Sequence, residues 1–172
     1  MDRSDNHHTN WRAVYDELLP RVYNYFRYRV GDEMWVEDLT AMTFERAWQH
    51  RENYRSDLSA FSTWVLAIAR NLAIDHWRKH RPALPLEAVR VTTSERSVEE
   101  TVQHDDDLRR LNALLSQLKE QEREIVALKY GAAMTNRAIA NLTGLSESNV
   151  GTILYRVLQR LRVAWEERIY DE

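Results

Sequence analysis

Apolar residues recur every three or four positions along several stretches of this chain, which is the pattern of α-helices with one buried face. In the first half the pattern runs from Trp11 to Val30, from Glu33 to Gln49 and from Phe61 to Arg81, and it resumes at Leu108. Only four Gly and three Pro occur in 172 residues, fewer than strand-and-turn architectures normally use. The sequence therefore predicts an all-α protein.

Turn-forming residues mark the ends of these helices. Pro20 interrupts the first pattern and predicts a kink or a split. Gly31 and Asp32 predict the C-terminal end of that helix. Residues 50–59 show no period and are predicted to form a loop.

A long acidic stretch divides the chain in two. Pro82 ends the third helix, and residues 83–107 contain no aromatic residue and no sustained period. We expect a flexible acidic linker there, with at most a transient helical turn. It separates two small helical domains, predicted at residues 10–82 and 108–168.

The composition excludes several classes of protein. Apolar residues make up 44% and charged residues 30% of the chain, as in a soluble globular protein. The chain has no Cys, so disulfides and thiolate metal sites are excluded. No apolar run approaches the roughly 20 residues that cross a bilayer, and the N-terminus lacks a secretory signal. A cytoplasmic protein without a membrane span is expected.

Charge is distributed unevenly along the chain. The formal net charge is −3, which argues against indiscriminate binding to nucleic acid. Residues 61–81, however, carry a local net charge of +3, and residues 82–107 carry −5. Any contact with nucleic acid is therefore expected to be local.

The C-terminal stretch TNRAIANLTGLSESNVGTILYRVLQRL has the pattern of a helix-turn-helix. Ala140 is small where two helices approach each other, and Gly144 falls where the turn needs a left-handed backbone. Val150 would lie between the helices, and Ser146 is a good N-cap for the second one. The alternative interpretation is an ordinary αα-hairpin.

If this motif binds DNA, its second helix presents polar side chains to the bases and cations to the phosphates. Gly151 in that helix has two interpretations, a tolerated substitution that costs about 1 kcal/mol or a point where DNA approaches the backbone closely. The candidate residues of this helix are Ser146, Glu147, Ser148, Asn149, Thr152 and Arg156, followed by Arg160, Arg162 and Arg168.

The stretch FSTWVLAIARNLAIDHWRKHR at 61–81 begins apolar and ends basic. At 100° per residue it has two apolar sides and, between them, a narrow strip formed by Trp64, Asn71, Asp75 and Arg78. Asn can recognise base edges and Trp can stack on a base, whereas the cations Arg78, Lys79 and Arg81 suit phosphates. The alternative interpretation is a solvated face on which Asp75 pairs with Arg78 or Lys79.

A metal site is a weaker possibility. His76 and His80 have the spacing that can hold Zn²⁺, but further ligands would have to come from His104 or the acids at 105–107. Such a site would be compatible with a metal-dependent nuclease. No clustered carboxylates or nucleophile–base pair support an enzyme, and we expect no catalytic residue, no metal and no cofactor.

Three blocks in this order resemble the bacterial sigma factors of the extracytoplasmic-function (ECF) class, over residues 11–167. VEDLTAMTFERAW at 36–48 resembles their segment for the clamp of the polymerase β′ subunit. FSTWVLAIARNLAIDHWRKHR resembles their segment for the promoter −10 element. LKEQEREIVALKY with the helix-turn-helix resembles their domain for the −35 element and the β flap.

The resemblance implies roles for individual residues near the −10 element. Asn71 and Asp75 occupy positions that contact bases, and Arg78, Lys79 and Arg81 occupy positions that hold phosphates. The loop at 51–58, with Asn53 and Tyr54, matches the pocket for a flipped base. Flipping a base costs about a few kcal/mol of lost stacking, so a shaped pocket is needed to hold it. The acidic stretch matches the family's connector, whose charge mimics RNA.

The resemblance also implies a polymerase contact through Asp38, Leu39 and Thr40. The chain departs from the family where Ala41-Met42 replaces a polar pair and where Gly151-Thr152-Ile153 replaces a more cationic triplet. Asn149 and Arg156 are then the main expected −35 contacts.

We therefore expect a sigma factor whose partners are core RNA polymerase, promoter DNA and an anti-sigma factor. A stand-alone helix-turn-helix regulator is the alternative, and the basic, Asn-bearing helix of the first half favours the sigma factor.

Overall fold

The computed structural model describes residues 11–80 and 101–167, and side chains in the second range from Asp106 to Glu166. Over these residues the chain forms seven α-helices, a 3-10 turn and a π-helical turn, with no strand, which confirms the all-α prediction. The helices are α1 Trp11–Arg29, α2 Glu33–Gln49, α3 Phe61–His80, α4 Thr101–Ser116, α5 Glu120–Val126, α6 Asn136–Thr143 and α7 Glu147–Glu167; the 3-10 turn is Arg51–Asn53 and the π-helical turn is Ala127–Gly131.

The breaks in the first half lie close to their predicted positions. Gly31 adopts a left-handed backbone, with φ of +86°, and ends α1. The Asp32 carboxylate accepts hydrogen bonds from the amides of Met34 and Trp35, which caps the start of α2. Pro20 lies exposed inside α1, which is continuous from Trp11 to Arg29, so of the predicted kink or split the split is wrong.

The start of the second half differs from the prediction. Helix α4 begins at Thr101, seven residues before the predicted domain boundary at 108, so the predicted linker extends too far. Residues 101–107 contain a single apolar residue, Val102, and therefore no apolar period that could reveal a helix. The rest of the predicted linker, 81–100, and with it Arg81, lies outside the described residues.

Helices α1, α2 and α3 pack into a three-helix unit. Its centre is formed by side chains that are at most 4% exposed: Leu18, Val22, Tyr25, Phe26, Val36, Leu39, Ala47, Val65, Leu66, Ala69, Leu72 and Ala73. The sequence predicts two apolar sides for α3; Val65 and Leu72 lie on one of them, and Leu66 and Ala73 lie on the other. The prediction that α3 packs on two sides is confirmed.

The second unit contains the helix-turn-helix, formed by α6 and α7. Gly144 follows α6 with φ of +77°, and Val150 is fully buried between the two helices, as predicted. Ala140 is 7% exposed at the close approach. Helix α4 is held to the end of α7 by Arg110, whose guanidinium lies 4.2 Å from the ring centre of Trp165.

The two units dock on each other. Buried side chains of both units form one contiguous core. Helix α1 contacts the π-helical turn, and a Cβ atom added to Gly131 would lie 2.7 Å from the backbone oxygen of Asn24. The turn therefore packs directly on the backbone of α1.

Two glycines of the helix-turn-helix should respond oppositely to Ala. Gly144→Ala should lower the local stability of α6 and α7 by about 1–2 kcal/mol, because its positive φ disfavours a Cβ atom. Gly151→Ala should raise it by up to about 1 kcal/mol, because the nearest atom to an added Cβ is 3.8 Å away. Amide hydrogen exchange of α6 and α7 measures both. Equal effects of the two changes would contradict the assignment of the turn.

Candidate nucleic-acid interfaces

The predicted polar strip of α3 is open to solvent. Asn71, Asp75, Arg78 and Lys79 are exposed, whereas the neighbouring Leu72 is 3% exposed. Within the described residues no ion pair joins Asp75 to Arg78 or Lys79. The alternative interpretation, a solvated face on which Asp75 pairs with one of these cations, therefore does not have the ion pair that it requires. The strip therefore offers an amide, a carboxylate and two cations to a partner.

An aromatic cluster lies at the N-terminal end of this strip. The Tyr54 ring lies 4.9 Å from that of Phe61 and 5.5 Å from that of Trp64, measured between ring centres. The Tyr54 hydroxyl donates to the backbone oxygen of Ser59 at 3.0 Å, which fixes the loop against the start of α3. The structure thus brings together two predicted site residues, Tyr54 and Trp64, that are ten positions apart in the sequence.

The loop before the cluster presents two further polar side chains. Asn53, a predicted site residue, is exposed at the end of the 3-10 turn. Arg51, which was not predicted, stacks on Trp48 with its guanidinium 4.2 Å from the ring centre and donates to the Trp48 backbone oxygen. A guanidinium within about 6 Å of a Trp ring centre is attracted to the face of the ring.

The predicted polymerase contact on α2 divides into exposed and buried residues. Asp38 is exposed, but Leu39 is 4% and Thr40 5% exposed. The Thr40 hydroxyl donates to the backbone oxygen of Val36 at 2.7 Å. Leu39 and Thr40 therefore face the interior, and of the three residues only Asp38 presents its side chain to a partner.

The N-terminal half of α7 carries the predicted −35 residues. Ser148, Asn149 and Arg156 are exposed. Ser146 is the N-cap: its hydroxyl oxygen accepts a hydrogen bond from the Asn149 amide at 3.1 Å. The Thr152 hydroxyl donates to the Ser148 backbone oxygen at 3.0 Å. The hydroxyls of Ser146 and Thr152 thus already have partners within the protein.

Arg160, a predicted −35 residue, forms an ion pair within the protein. Its guanidinium donates to the Glu122 carboxylate at 2.6 Å. Burial disfavours the ionised form of Glu122, but the hydrogen bonds from Arg160 and from the Lys119 amide lower its pKa below the ordinary value. Arg160 therefore ties α7 to α5 in addition to carrying positive charge near the motif.

The two histidines at the end of α3 stack on each other and on Trp35. Their ring centres are 4.2 Å apart, and each lies within 4.7 Å of the Trp35 ring centre. Burial and the neighbouring His80 lower the pKa of His76. Among side chains at 11–80 and 106–166 no three His, Asp or Glu groups converge as metal ligands. His104 lies outside the described side chains.

A polar cluster between the two units was not predicted. Glu124, which is 6% exposed, accepts from the Tyr25 hydroxyl at 3.1 Å and from Arg29 Nε at 3.2 Å, and Arg70 Nε lies 3.3 Å from it. Burial, followed by the neighbouring Glu124, raises the pKa of Tyr25 well above its ordinary value. The only sequence signal was a Glu beside the apolar run that starts at Ile125.

Known proteins resemble the chain over both units. Residues 14–83 match the family model described as Sigma-70 region 2, and residues 108–161 match the model described as Sigma-70, region 4. Together the matches cover more than two thirds of the chain.

In the described part of the chain, no helix has both the length and the apolar character of a membrane span.

Two curated relatives show the same similarity. The ECF RNA polymerase sigma factor BldN of Streptomyces coelicolor is 31% identical over 151 residues, 86% of this chain but only 57% of that protein. The ECF RNA polymerase sigma factor SigM of Bacillus subtilis is 26% identical over 160 residues, 92% of this chain and 97% of that protein.

A solved structure shares the fold. The sigma factor RpoE of Bartonella quintana, solved in complex with the anti-sigma factor NepR, has a TM-score of 0.71 at 18% identity. The match covers 91% of this chain and 97% of that chain. The likeness extends over both helical units.

Within α7 the structure distinguishes Ser146, whose hydroxyl caps the helix, from Ser148, whose side chain is exposed. Ser146→Ala should lower the local stability of α7 by about 1 kcal/mol, because the Asn149 amide loses its acceptor. Ser148→Ala, the matched control two residues further along, should change it by less than about 0.5 kcal/mol. Hydrogen exchange at the first turn of α7 measures the difference. A Ser146→Ala variant as stable as Ser148→Ala would refute the cap.

Proposed function

Since the chain belongs to the ECF class of the sigma-70 family, we propose that it binds core RNA polymerase and directs it to promoters through a −10 and a −35 element. The observation that carries this proposal is the exposed strip of α3, with Asn71 and Asp75, in the same chain as a helix-turn-helix. Each surface is small, and together they specify two separate promoter segments.

We assign the −10 element to α3 and the aromatic cluster. The Asn71 amide offers a donor and an acceptor to one base edge, and Arg78 and Lys79 provide positive charge for phosphates. Tyr54 and Trp64 provide the stacking surface that an unstacked base requires, with Asn53 beside them. Arg81 extends this basic stretch in the sequence.

We assign the −35 element to the first half of α7. Asn149 and Arg156 are the side chains that remain exposed for base and phosphate contacts. Ser148 and Thr152 lie beside them, while Ser146 and Arg160 act mainly by shaping the helix and its attachment. Because Arg160 is used within the protein, few cations remain on the −35 surface. The affinity of this surface for DNA should therefore depend on polymerase holding the protein in place.

We assign the polymerase contacts to both units. Asp38 on α2 is the candidate for the β′ clamp, and the exposed apolar side chains of α7, Tyr155 and Leu158, are candidates for the β flap. An anti-sigma factor is a further expected partner, as for the Bartonella quintana relative.

The sigma-70 family is not enzymatic in general, and we propose that this chain, too, acts in the cytoplasm by binding rather than by catalysis. A stand-alone helix-turn-helix regulator is not favoured, because the first unit matches Sigma-70 region 2.

Asn71 and Arg78 should affect transcription differently. Asn71→Ala should cost about 1–3 kcal/mol of discrimination at one promoter position, because its amide contacts a single base. Arg78→Ala should weaken binding to all promoters and reduce the salt dependence, because a phosphate contact carries no sequence information. The measurement is transcription with core polymerase from a −10 element mutated one position at a time.

Neither change should disturb the fold, since both side chains are exposed on a helix. If Asn71→Ala lowers the melting temperature and leaves base preferences unchanged, the strip is structural and the −10 assignment is wrong.

Asp38→Ala should weaken binding to core polymerase by about tenfold without loss of helix content, because an exposed carboxylate at an interface is removed. Glu17→Ala, which removes an exposed acid from α1, is the matched control. Titration of fluorescent protein with core polymerase gives both affinities. Equal affinities for the two variants would remove Asp38 from the contact.

A further inference from the structure

A small cavity lies where α5 meets the C-terminal ends of α1 and α3. Its volume is about 150 Å³. The charged or titratable side chains that line it are Arg29, His76, His80 and Arg123, and among the described residues no carboxylate lines it. A space that is surrounded by groups of one sign concentrates ions of the opposite sign. The lining therefore suits an anion.

Arg123 provides the charge that the protein does not neutralise. Its Nε donates to the backbone oxygen of Tyr28 at 2.9 Å, which holds the guanidinium in place. Of the ion pairs between described residues, none includes Arg123. Burial and the nearby Arg29 lower the pKa of Arg123 to about 10. A partly buried cation without a counter-charge is costly, and an anion in the cavity would supply that charge.

Arg29, in contrast, belongs to a balanced group of charges. Its Nε donates to Glu124 at 3.2 Å, and a terminal nitrogen pairs with Glu120. Glu124 also pairs with Arg70, so that two guanidinium groups and two carboxylates neutralise each other. The charge that is left uncompensated at the cavity is therefore that of Arg123.

The two histidines of the cavity are held by an aromatic stack. Their ring centres lie 4.2 Å apart, and both rings lie against Trp35. The Nδ1 atom of His80 lies 2.8 Å from the backbone oxygen of His76. Since a carbonyl oxygen only accepts, Nδ1 is the donor, and Nε2 of His80 is available to a ligand. Burial and the neighbouring His80 lower the pKa of His76, and an anion nearby would favour its protonated, donating form.

The cavity lies on the side of α3 that is opposite to the polar strip. Ala73, His76 and His80 line the cavity, whereas Asn71 and Arg78 belong to the strip. At 100° per residue the two sets point in directions about 180° apart. The ligand of the cavity is therefore a group other than DNA that is bound on the strip.

The size and the donors of the cavity favour one phosphate group. Its volume is below the roughly 300 Å³ at which most sites for small molecules begin. The donors come from different helices, the histidines from α3 and Arg123 from α5. The oxygens of a tetrahedral phosphate accept hydrogen bonds from several directions, whereas those of a carboxylate lie in one plane. The rest of a larger ligand would lie outside the cavity beside Trp77, which is 36% exposed.

We propose that this cavity binds a phosphate group that carries two negative charges, either free phosphate or the phosphate of a small monoester. Arg123 supplies the counter-charge from α5, and His76 and His80 bind the oxygens from α3. The site does not depend on the proposed function, because its lining needs neither promoter DNA nor polymerase.

Nuclear magnetic resonance of the full ¹⁵N-labelled chain can test the site without polymerase or DNA. Inorganic phosphate is added at constant pH, and sodium chloride keeps the ionic strength constant, so that general screening does not change. The Nε–H of Arg123 is held by the Tyr28 oxygen, and its signal should therefore be observable. This signal and the ring signals of His76 should shift along a saturable, single-site curve. The Nε–H signal of Arg78, on the strip, should not.

A first pair of variants compares two cations. Arg123→Gln should weaken phosphate binding by at least about tenfold, because a charge-assisted hydrogen bond is lost. Arg78→Gln removes the same charge from the opposite side of α3 and should change the affinity by less than about twofold. Far-UV circular dichroism and the melting temperature show whether each variant keeps the fold.

A second pair tests the site without changing α5. His80 is exposed, so His80→Glu adds a carboxylate at the cavity without filling the core, and it should weaken phosphate binding by at least about tenfold. His50→Glu makes the same change of charge at an exposed position beyond the other end of α2 and should leave the affinity unchanged.

Three results would overturn the site. One is a parent protein whose Arg123 signal does not shift along a saturable curve. Another is unchanged affinity in both Arg123→Gln and His80→Glu. The third is an equal loss of affinity in the controls Arg78→Gln or His50→Glu, which would place the phosphate elsewhere.

Two further titrations identify the source of the phosphate. Adenosine monophosphate that binds more tightly than inorganic phosphate would assign the site to a nucleotide, and equal affinities would assign it to free phosphate; both results support the site. A short single-stranded DNA without terminal phosphates offers only singly charged diesters. If this DNA shifts the Arg123 signal as strongly as phosphate does, the ligand is a nucleic-acid backbone and the proposal is wrong.

Discussion

The arrangement of the two helical units depends on one buried carboxylate, Glu124. Removing such a group from water costs several kcal/mol unless cations and donors surround it. Here the compensation comes from Tyr25, Arg29 and Arg70, about 55 to 100 residues away in the chain. The relative position of the units is thereby determined by electrostatic pairing as well as by apolar contact.

Helix α3 connects this contact to the rest of the molecule. One side, with Val65 and Leu72, completes the core of the first unit. A second side carries Arg70 toward the other unit, and the remaining strip presents Asn71 and Asp75 to solvent. Because a helix has 3.6 residues per turn, adjacent residues such as Arg70 and Asn71 serve different neighbours. A substitution can therefore affect docking or the exposed strip without affecting both.

The sequence predicted what depends on local pattern. Apolar periodicity located α1 to α3, and Gly144 with Val150 located the helix-turn-helix, because those features need only neighbouring residues. The start of α4 was missed because its first residues carry no apolar stripe. For Thr40, the family motif did not indicate that the hydroxyl is used within its own helix.

Long-range pairing was the larger omission. Glu124 and Arg29 are charged residues whose sequence neighbours do not indicate a partner, and nothing local relates Gly131 to Asn24. Ser146 and Arg160 were predicted as DNA contacts from residue type, whereas their bonds to Asn149 and Glu122 depend on how α5 and α7 meet. The sequence pattern shows which residues can form such contacts, but it does not show which partner each of them has in the folded protein.

The close approach at Gly131 bears on how such proteins can be recombined. A hybrid that joins the first unit of this chain to the second unit of a relative would need a residue without a side chain opposite Asn24 and a carboxylate opposite Arg29 and Arg70. Units exchanged without that matching pair would be joined by a tether alone. The two units are therefore separable in the promoter elements that we assign to them, but the contact residues of each unit are matched to those of the other.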